Sequence, residues 1–302
     1  MPNQTRLKLS PTSSKHLTPA LILLFGFILW FVFWWITKTA AIDLTQLESL
    51  TPDNENGAYV FRAAGCSSCH MDPEDPDALV LTGGQPFSTS FGLFVAPNIS
   101  MSKDHGIGSW TLANFATAVR QGVNPDGEHY YPAFPYSSYS RMTDQDVGDL
   151  WAFWQTLPAT ERPNQTHQLM FPVSTRRGVG IWKAAFLTDD WFHKTGPKRG
   201  RYLVEALSHC GECHTPRNML GGLRMNEWMK GGPNPTGNGF IPDIIEATQS
   251  WSEEDIVEYL SSGFTPDFDI AGGNMAKVID NTKYLTPIDR LAIATYIKSL
   301  AD

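Results

Sequence analysis

The sequence predicts an all-α chain: one N-terminal transmembrane helix followed by two copies of a small helical domain. Three observations predict it. Residues 20–36, ALILLFGFILWFVFWWI, form an uninterrupted apolar run. Behind that run, six features recur in the same order in two halves of the chain. Among them is a pentapeptide that occurs twice, CSSCH at Cys66–His70 and CGECH at Cys210–His214. The implied division is a cytoplasmic tail (1–19), an anchor (20–37), a linker (38–56), a first domain (57–161), a connector (162–198) and a second domain (199–302).

At about 1.5 Å per residue, the apolar run is just long enough to span a bilayer core. Arg6, Lys8 and Lys15 precede it, whereas Lys38 alone follows closely before Asp43 and Glu48. That asymmetry puts the N-terminus in the cytoplasm and everything after the span outside. Trp34 and Trp35 at its outer end fit an interfacial aromatic anchor. A cleaved signal peptide competes, with Thr39-Ala40-Ala41 as a tolerable small-residue cleavage site. The run is longer than a usual signal core and heavy in Trp and Phe, which favours a retained anchor.

C-x-x-C-H is the attachment pattern of c-type haem. Two thiols on adjacent points of one helical turn can bond to the two vinyl groups of a haem. The following His then supplies an axial nitrogen to the iron. A zinc ribbon would instead pair two C-x-x-C units about 15–20 residues apart. Here the units lie 144 residues apart, each is followed by His, and all four cysteines of the chain are used. No thiol is left for a structural disulfide. Covalent haem attachment takes place on the oxidising side of the membrane, so the chain must be exported. The formal charge of −8, with 42% hydrophobic and 18% charged residues, argues against nucleic acid and for a soluble face that meets protein partners.

The repeat can be followed residue by residue. Gly57-Ala-Tyr-Val-Phe-Arg-Ala-Ala leads into the first motif and Gly200-Arg-Tyr-Leu-Val-Glu-Ala-Leu into the second. A Gly with an aromatic one turn away suits close helix packing. Pro97-Asn98-Ile99 begins 27 residues after His70, and Pro242-Asp243-Ile244 begins 28 after His214. Trp110-Thr111 and Trp251-Ser252 each place an N-cap before an amphipathic helix. Gly122 and Gly263, twelve residues after each Trp, end those helices as C-caps would. Pro125-Asp126 and Pro266-Asp267 follow. Thr143-Asp-Gln-Asp146 and Thr286-Pro-Ile-Asp289 then open the closing helices, close to a capping box. Phe153 and Tyr296 hold equivalent places in them, facing the core.

The connector belongs to neither copy. Residues 178–186 (GVGIWKAAF) predict a short helix, and Trp182, Phe186 and Trp191 predict interface packing. Arg176 and Arg177 offer either a contact to haem propionates or a solvated basic face.

A methionine sulfur from the loop before each closing helix would complete the iron. In the second copy this is Met275, eight residues after Asp267, in a loop whose two glycines permit a tight approach. Met219 and Met225 follow the motif too soon to cross the haem. The first copy departs here. Eight residues after Asp126 stands Phe134, which cannot ligate iron. Met142 is the first-ranked candidate, Met101 and His129 follow, and an open iron is a further option.

C-x-x-C-H, APNIS, the Trp-led helix, GVNPDG, YPAFPY, CHTPRN and the GGNMAKVIDNTKYLT segment together resemble the membrane-anchored dihaem cytochromes c. The similarity is to the cytochrome subunits of periplasmic alcohol-, gluconate- and related dehydrogenases and covers residues 57–302. It implies tandem class I cytochrome c domains with two haems c, on Cys66/Cys69 and Cys210/Cys213. It implies His70 and His214 as proximal ligands and Met275 as a distal ligand. Many such proteins carry Met where this chain has Phe134, and many carry a third haem.

The implied location is a bacterial inner membrane, crossed once, with the haem domains periplasmic. The implied function is not itself catalytic. It is a relay of single electrons from a dehydrogenase or quinol-oxidising complex to a cytochrome or terminal oxidase. Two other readings stay open: a haem enzyme, such as a peroxidase or thiosulfate-type dehydrogenase with an atypical first haem, and a fixed subunit of a respiratory or photosynthetic complex.

Overall fold

A computed structural model describes residues 17–301 except 40–42, 44, 46, 73, 75, 76, 78 and 238. Residues 1–16 of the predicted tail lie outside the described residues, as do Ala40 and Ala41 of the cleavage-site reading. The chain divides between Lys38 and Thr39 into two compact units. The first contains α1, Leu17–Ile36. Its mean hydropathy over Pro19–Ile36 is 2.3, so it is long and apolar enough to cross a membrane, a test that a signal sequence also passes.

The second unit opens with α2 (Asn54–Ala63) and α3 (Cys66–His70). A hairpin of β1 (Pro86–Thr89) and β2 (Gly92–Val95) follows, then α4 (Leu112–Gln121), α5 (Tyr136–Tyr139) and α6 (Asp144–Trp154). The connector supplies β3 (Gln168–Leu169) and α7 (Val179–Phe186). The second half starts with α8 (Lys198–Arg201), which continues as a π-helical turn over Tyr202–Leu207, and α9 (Gly211–His214). A small hairpin of β4 (Gly232–Pro233) and β5 (Phe240–Ile241) leads to α10 (Ile244–Ala247), α11 (Glu253–Ser262), α12 (Gly273–Thr282) and α13 (Pro287–Lys298).

The caps fall where the sequence predicts them. Thr111 and Ser252 each form a capping box, with Asn114 and with Asp255, at the starts of α4 and α11. Gly122 and Gly263 end those helices in the left-handed region, at φ 60° and 82°. Thr143 and Thr286 accept from the backbone N–H of Asp146 and Asp289, and Pro287 takes the first helical position of α13.

The all-α expectation needs amending. β1, β2 and β3 form an antiparallel sheet, and β4 pairs with β5. The cause is local. Thr89 Oγ1 donates to the Gly92 carbonyl (2.9 Å) and closes a tight hairpin. Gly92, at φ 120°, then lets the Gln168 backbone approach, because a Cβ there would lie 2.3 Å from its carbonyl oxygen. Connector residues thereby pack on the first half: the Asn98 side chain donates to the Arg162 carbonyl (2.9 Å) and the Asn98 N–H to Asn164 Oδ1 (2.7 Å).

The predicted close helix packing is present in both halves. A Cβ on Gly57 would meet the Asp149 carbonyl at 2.1 Å and Phe153 Cβ at 2.7 Å. On Gly200 it would meet the Ala292 carbonyl at 2.0 Å and Tyr296 Cβ at 2.7 Å. So α2 crosses α6, and α8 crosses α13, at glycine contacts. Val60, Phe61, Val147 and Leu150 from one half join Leu203, Val204, Ile293 and Tyr296 from the other in one buried cluster. Each such aliphatic side chain stabilises the fold by about 1.5–3 kcal/mol.

The halves also cap each other. Tyr59 on α2 accepts from the Thr286 N–H (3.3 Å) and donates to Asp289 at the start of α13. Tyr202, its counterpart after α8, accepts from the Thr143 N–H (3.2 Å) and donates to Asp146 at the start of α6. Arg199 adds a two-pronged clamp on Asp289, at 2.8 and 2.6 Å. Burial alone would raise the Asp289 carboxyl. The hydrogen bonds from Arg199 and Tyr59, with the Arg199 charge, outweigh burial and hold it below the usual carboxylate range.

A group whose folded pKa is depressed contributes stability above its unfolded pKa and loses it as pH falls through the folded value. Asp289→Asn is therefore expected to destabilise the protein at pH 7 by about 1–2 kcal/mol, the half-exposed guanidinium being partly screened. In thermal unfolding, the gap between wild type and variant should close as pH drops below about 4.

Candidate haem sites

Both attachment turns are short helices that present their thiols and histidine on one turn. All four cysteines are free thiols. Burial pushes Cys66 and Cys210 up to about 12 and Cys213 to about 11. A redox-active C-x-x-C does the opposite and lowers the pKa of its nucleophile. Among the described residues, no three His, Cys, Asp or Glu side chains gather as a metal-ion site, so the zinc alternative has no ligand set. Cys69 and Cys213 are exposed, yet burial still raises their thiols.

His70 Nδ1 lies 2.9 Å from the Pro97 carbonyl oxygen, and His214 Nδ1 lies 2.9 Å from that of Pro242. A carbonyl only accepts, so Nδ1 carries the proton and Nε2 keeps its lone pair. Burial also lowers both imidazolium pKa values, leaving the rings neutral at pH 7. A neutral imidazole with its second nitrogen fixed on a carbonyl is the preferred form for an iron or zinc ligand.

A glycine in each half makes this possible. Gly83 N–H donates to the His70 carbonyl (2.8 Å) and Gly231 N–H to the His214 carbonyl (2.6 Å). Both glycines are left-handed, at φ 68° and 67°. A Cβ would lie 2.4 Å from the Pro97 carbonyl oxygen, or 2.5 Å from the Pro242 carbonyl carbon. The repeated prolines stand out in the sequence without showing their role, and the glycines went unread. The paired GG at 83–84 and 231–232 was the available signal.

The two sites touch each other's halves. Asn281 on α12 donates to Ser68 Oγ (2.9 Å) in the first motif and accepts from Ser67 (3.1 Å). Glu212 in the second motif accepts from Ser137 (2.5 Å) on α5 and pairs with Arg217 (2.5 Å). Burial would raise the Glu212 carboxyl, but Arg217 and Ser137 hold it below its usual value. None of these pairings was foreseen.

On the opposite side the halves differ. Met275 lies in the first turn of α12, half-buried, where a loop was expected. Met142, only 3% exposed, sits between α5 and α6, and its carbonyl accepts from Arg120 (2.6 Å). Phe134 packs edge-to-face on Tyr130, Tyr136 and Tyr139. Met101 is half-buried against the core, His129 is buried, and Met219 and Met225 are exposed. The Tyr136 hydroxyl is buried without a partner among the described residues. The paired free thiols and the free Nε2 atoms fit a covalently held haem.

Arg176 serves packing: it lies over the Tyr131 ring (5.4 Å) and donates to the His129 carbonyl (3.4 Å). Trp182 and Phe186 bridge to the second half, through the Leu220 carbonyl (3.0 Å) and against Gly222.

Residues 54–158 match the cytochrome c family model. A diheme cytochrome c-type protein of Cereibacter sphaeroides is 49% identical over 87% of this chain and 91% of its own length. The cytochrome subunit of fructose dehydrogenase from Gluconobacter japonicus is 40% identical over 85% of this chain and 54% of its own. The cytochrome c subunit of the quinone-linked alcohol dehydrogenase from Gluconacetobacter polyoxogenes is 35% identical over 83% and 57%. This chain thus spans just over half of those two subunits. It belongs to the cytochrome c family, in its dihaem branch. Membership implies covalently bound haem c.

Gly83→Ala and Gly231→Ala should each cost about 1–3 kcal/mol in urea unfolding, from overpacking against the proline carbonyl and a strained left-handed φ.

Proposed function

We propose that this protein is a membrane-tethered, periplasmic two-haem relay of single electrons. It would take them from a dehydrogenase or quinol-oxidising complex and pass them to a cytochrome or terminal oxidase. The observation that carries this reading is the duplicated histidine geometry, with each Nδ1 held 2.9 Å from a proline carbonyl. The likeness to dehydrogenase cytochrome subunits supports the donor side.

When bound, the haem supplies a one-electron couple at its iron. The chain does the rest. Cys66, Cys69, Cys210 and Cys213 fix position through thioether bonds. His70 and His214 are proximal ligands, and the Pro97 and Pro242 carbonyls orient their rings and raise their basicity. Met275 and Met142 are the distal ligands, Met142 replacing the sulfur that Phe134 lacks. Residues 57–161 and 199–302 act as tandem class I cytochrome c domains. α1 is a retained anchor that keeps them concentrated near membrane partners.

Alkaline pyridine spectra should give two haems per chain for the wild type, and one each for Cys66→Ala/Cys69→Ala and Cys210→Ala/Cys213→Ala. The oxidised wild type should show methionine–iron charge-transfer absorption from both haems. Met275→Ala should remove half of it and Met142→Ala the other half. A band untouched by Met142→Ala would remove that residue from the first site, and a first haem without the band would favour the enzyme reading.

A further inference from the structure

One hairpin occurs twice with opposite surroundings. Residues 123–129 (VNPDGEH) follow α4, and residues 264–270 (FTPDFDI) follow α11. In the first, Asn124 N–H donates to Glu128 and Gly127 N–H to Asn124, at 2.9 and 3.0 Å. In the second, Thr265 donates to Asp269 and Phe268 to Thr265, at the same two distances. Val123 bridges His129 as Phe264 bridges Ile270.

The connector covers the ends of the first hairpin, whereas its tip, residues 125–128, is exposed and polar. Val123 and His129 are each 5% exposed. Tyr131, just beyond it, donates to the Val173 carbonyl (2.9 Å), and Arg176 donates to the His129 carbonyl. Lys183 donates to the Gly122 carbonyl (2.8 Å) and lies 4.5 Å over the Tyr136 ring. The cover thus brings Arg176 and Lys183 to the backbone at the two ends of the hairpin, and burial lowers the Lys183 ammonium to about 7.

The second hairpin is open. Phe264, Phe268 and Ile270 are 54%, 94% and 61% exposed. Phe268 has φ 63°, where Gly127 stands at 79° in the first hairpin. A bulky side chain in the left-handed region costs about 1–3 kcal/mol. Packing within the described residues offsets almost none of that at a 94% exposed ring. Asp267 and Asp269 flank the three apolar residues, and both are exposed, as are Glu254 and Glu258 on α11. Those acids disfavour an anionic lipid surface and favour a cationic protein. Through Ala271 and Gly272 the hairpin runs directly into α12, whose first turn carries Met275.

We propose that the Phe264–Ile270 hairpin is the docking site of a redox partner protein, which covers the exposed rings with an apolar side chain flanked by lysine or arginine. The site rests on the relay reading and would bring the partner to the distal side of the second haem. Three apolar residues make a small contact, which suits a transient electron-transfer encounter.

The test mixes full-length, fully reduced protein in detergent with a lysine-rich soluble monohaem cytochrome c in a stopped-flow instrument at low salt. Phe264→Ser/Phe268→Gly keeps the turn and removes both rings. The second-order rate should fall roughly tenfold or more, a loss typical of aromatic anchors, with both midpoint potentials unchanged. Asp267→Asn/Asp269→Asn should slow the reaction at low salt and flatten its salt dependence. Equal rates for wild type and the Phe variant would overturn the docking site and leave the relay standing. So would a loss that comes with a shifted potential, because the hairpin would then serve the haem. A wild type that sediments as a dimer, with a monomeric Phe variant, would replace the partner by a second copy of this chain. A wild type that never reduces the probe would sink the relay reading together with this one.

Discussion

The crossed tyrosines hold this structure in one piece. Each half begins with a helix whose tyrosine caps the closing helix of the other half: Tyr59 on Thr286 and Asp289, Tyr202 on Thr143 and Asp146. Each tyrosine can reach only because Gly57 or Gly200, two residues earlier, lets its helix lie directly on its own closing helix. The remaining cross-contacts follow from that arrangement. Ser68 meets Asn281, and Glu212 meets Ser137, so each attachment turn is braced by the segment that precedes the other half's closing helix.

Duplication has kept one side of each site and released the other. The proximal side is strict: a neutral histidine, a proline carbonyl at 2.9 Å and a left-handed glycine occur in both halves. The opposite side diverges. α12 is a full helix starting two residues before Met275, whereas its counterpart is the single turn α5 behind an aromatic cluster around Phe134. The hairpins before them diverge as well, one buried at its ends and polar at its tip, the other open and aromatic. Geometry that the iron needs is shared, and geometry that partners would meet is not.

Much of this was legible in the chain because it is local. Thr111, Ser252, Thr143 and Thr286 cap helices by chemistry confined to four consecutive residues, and Gly122 and Gly263 end them by φ alone. The attachment turns were legible for the same reason. Contacts between remote segments were not. Nothing around Tyr59 indicates that its partner lies 230 residues away. The β strands escaped because β3 is two residues long and is recruited by a hairpin 72 residues earlier, where His167 Nδ1 accepts the Val95 N–H. Met275 looked like a loop residue because Gly272 and Gly273 argue against helix. They instead supply the extended N-cap, φ −112°, and the left-handed first residue of α12.

The central claim is that both haem sites belong to one cooperative body rather than to two independent domains on a tether. Urea unfolding of the full-length holoprotein in detergent tests it most directly, with haem absorbance, tryptophan fluorescence and circular dichroism followed on the same samples. One coincident transition for all three probes is the predicted result. Two separated transitions, each releasing the ligands of one haem, would contradict it.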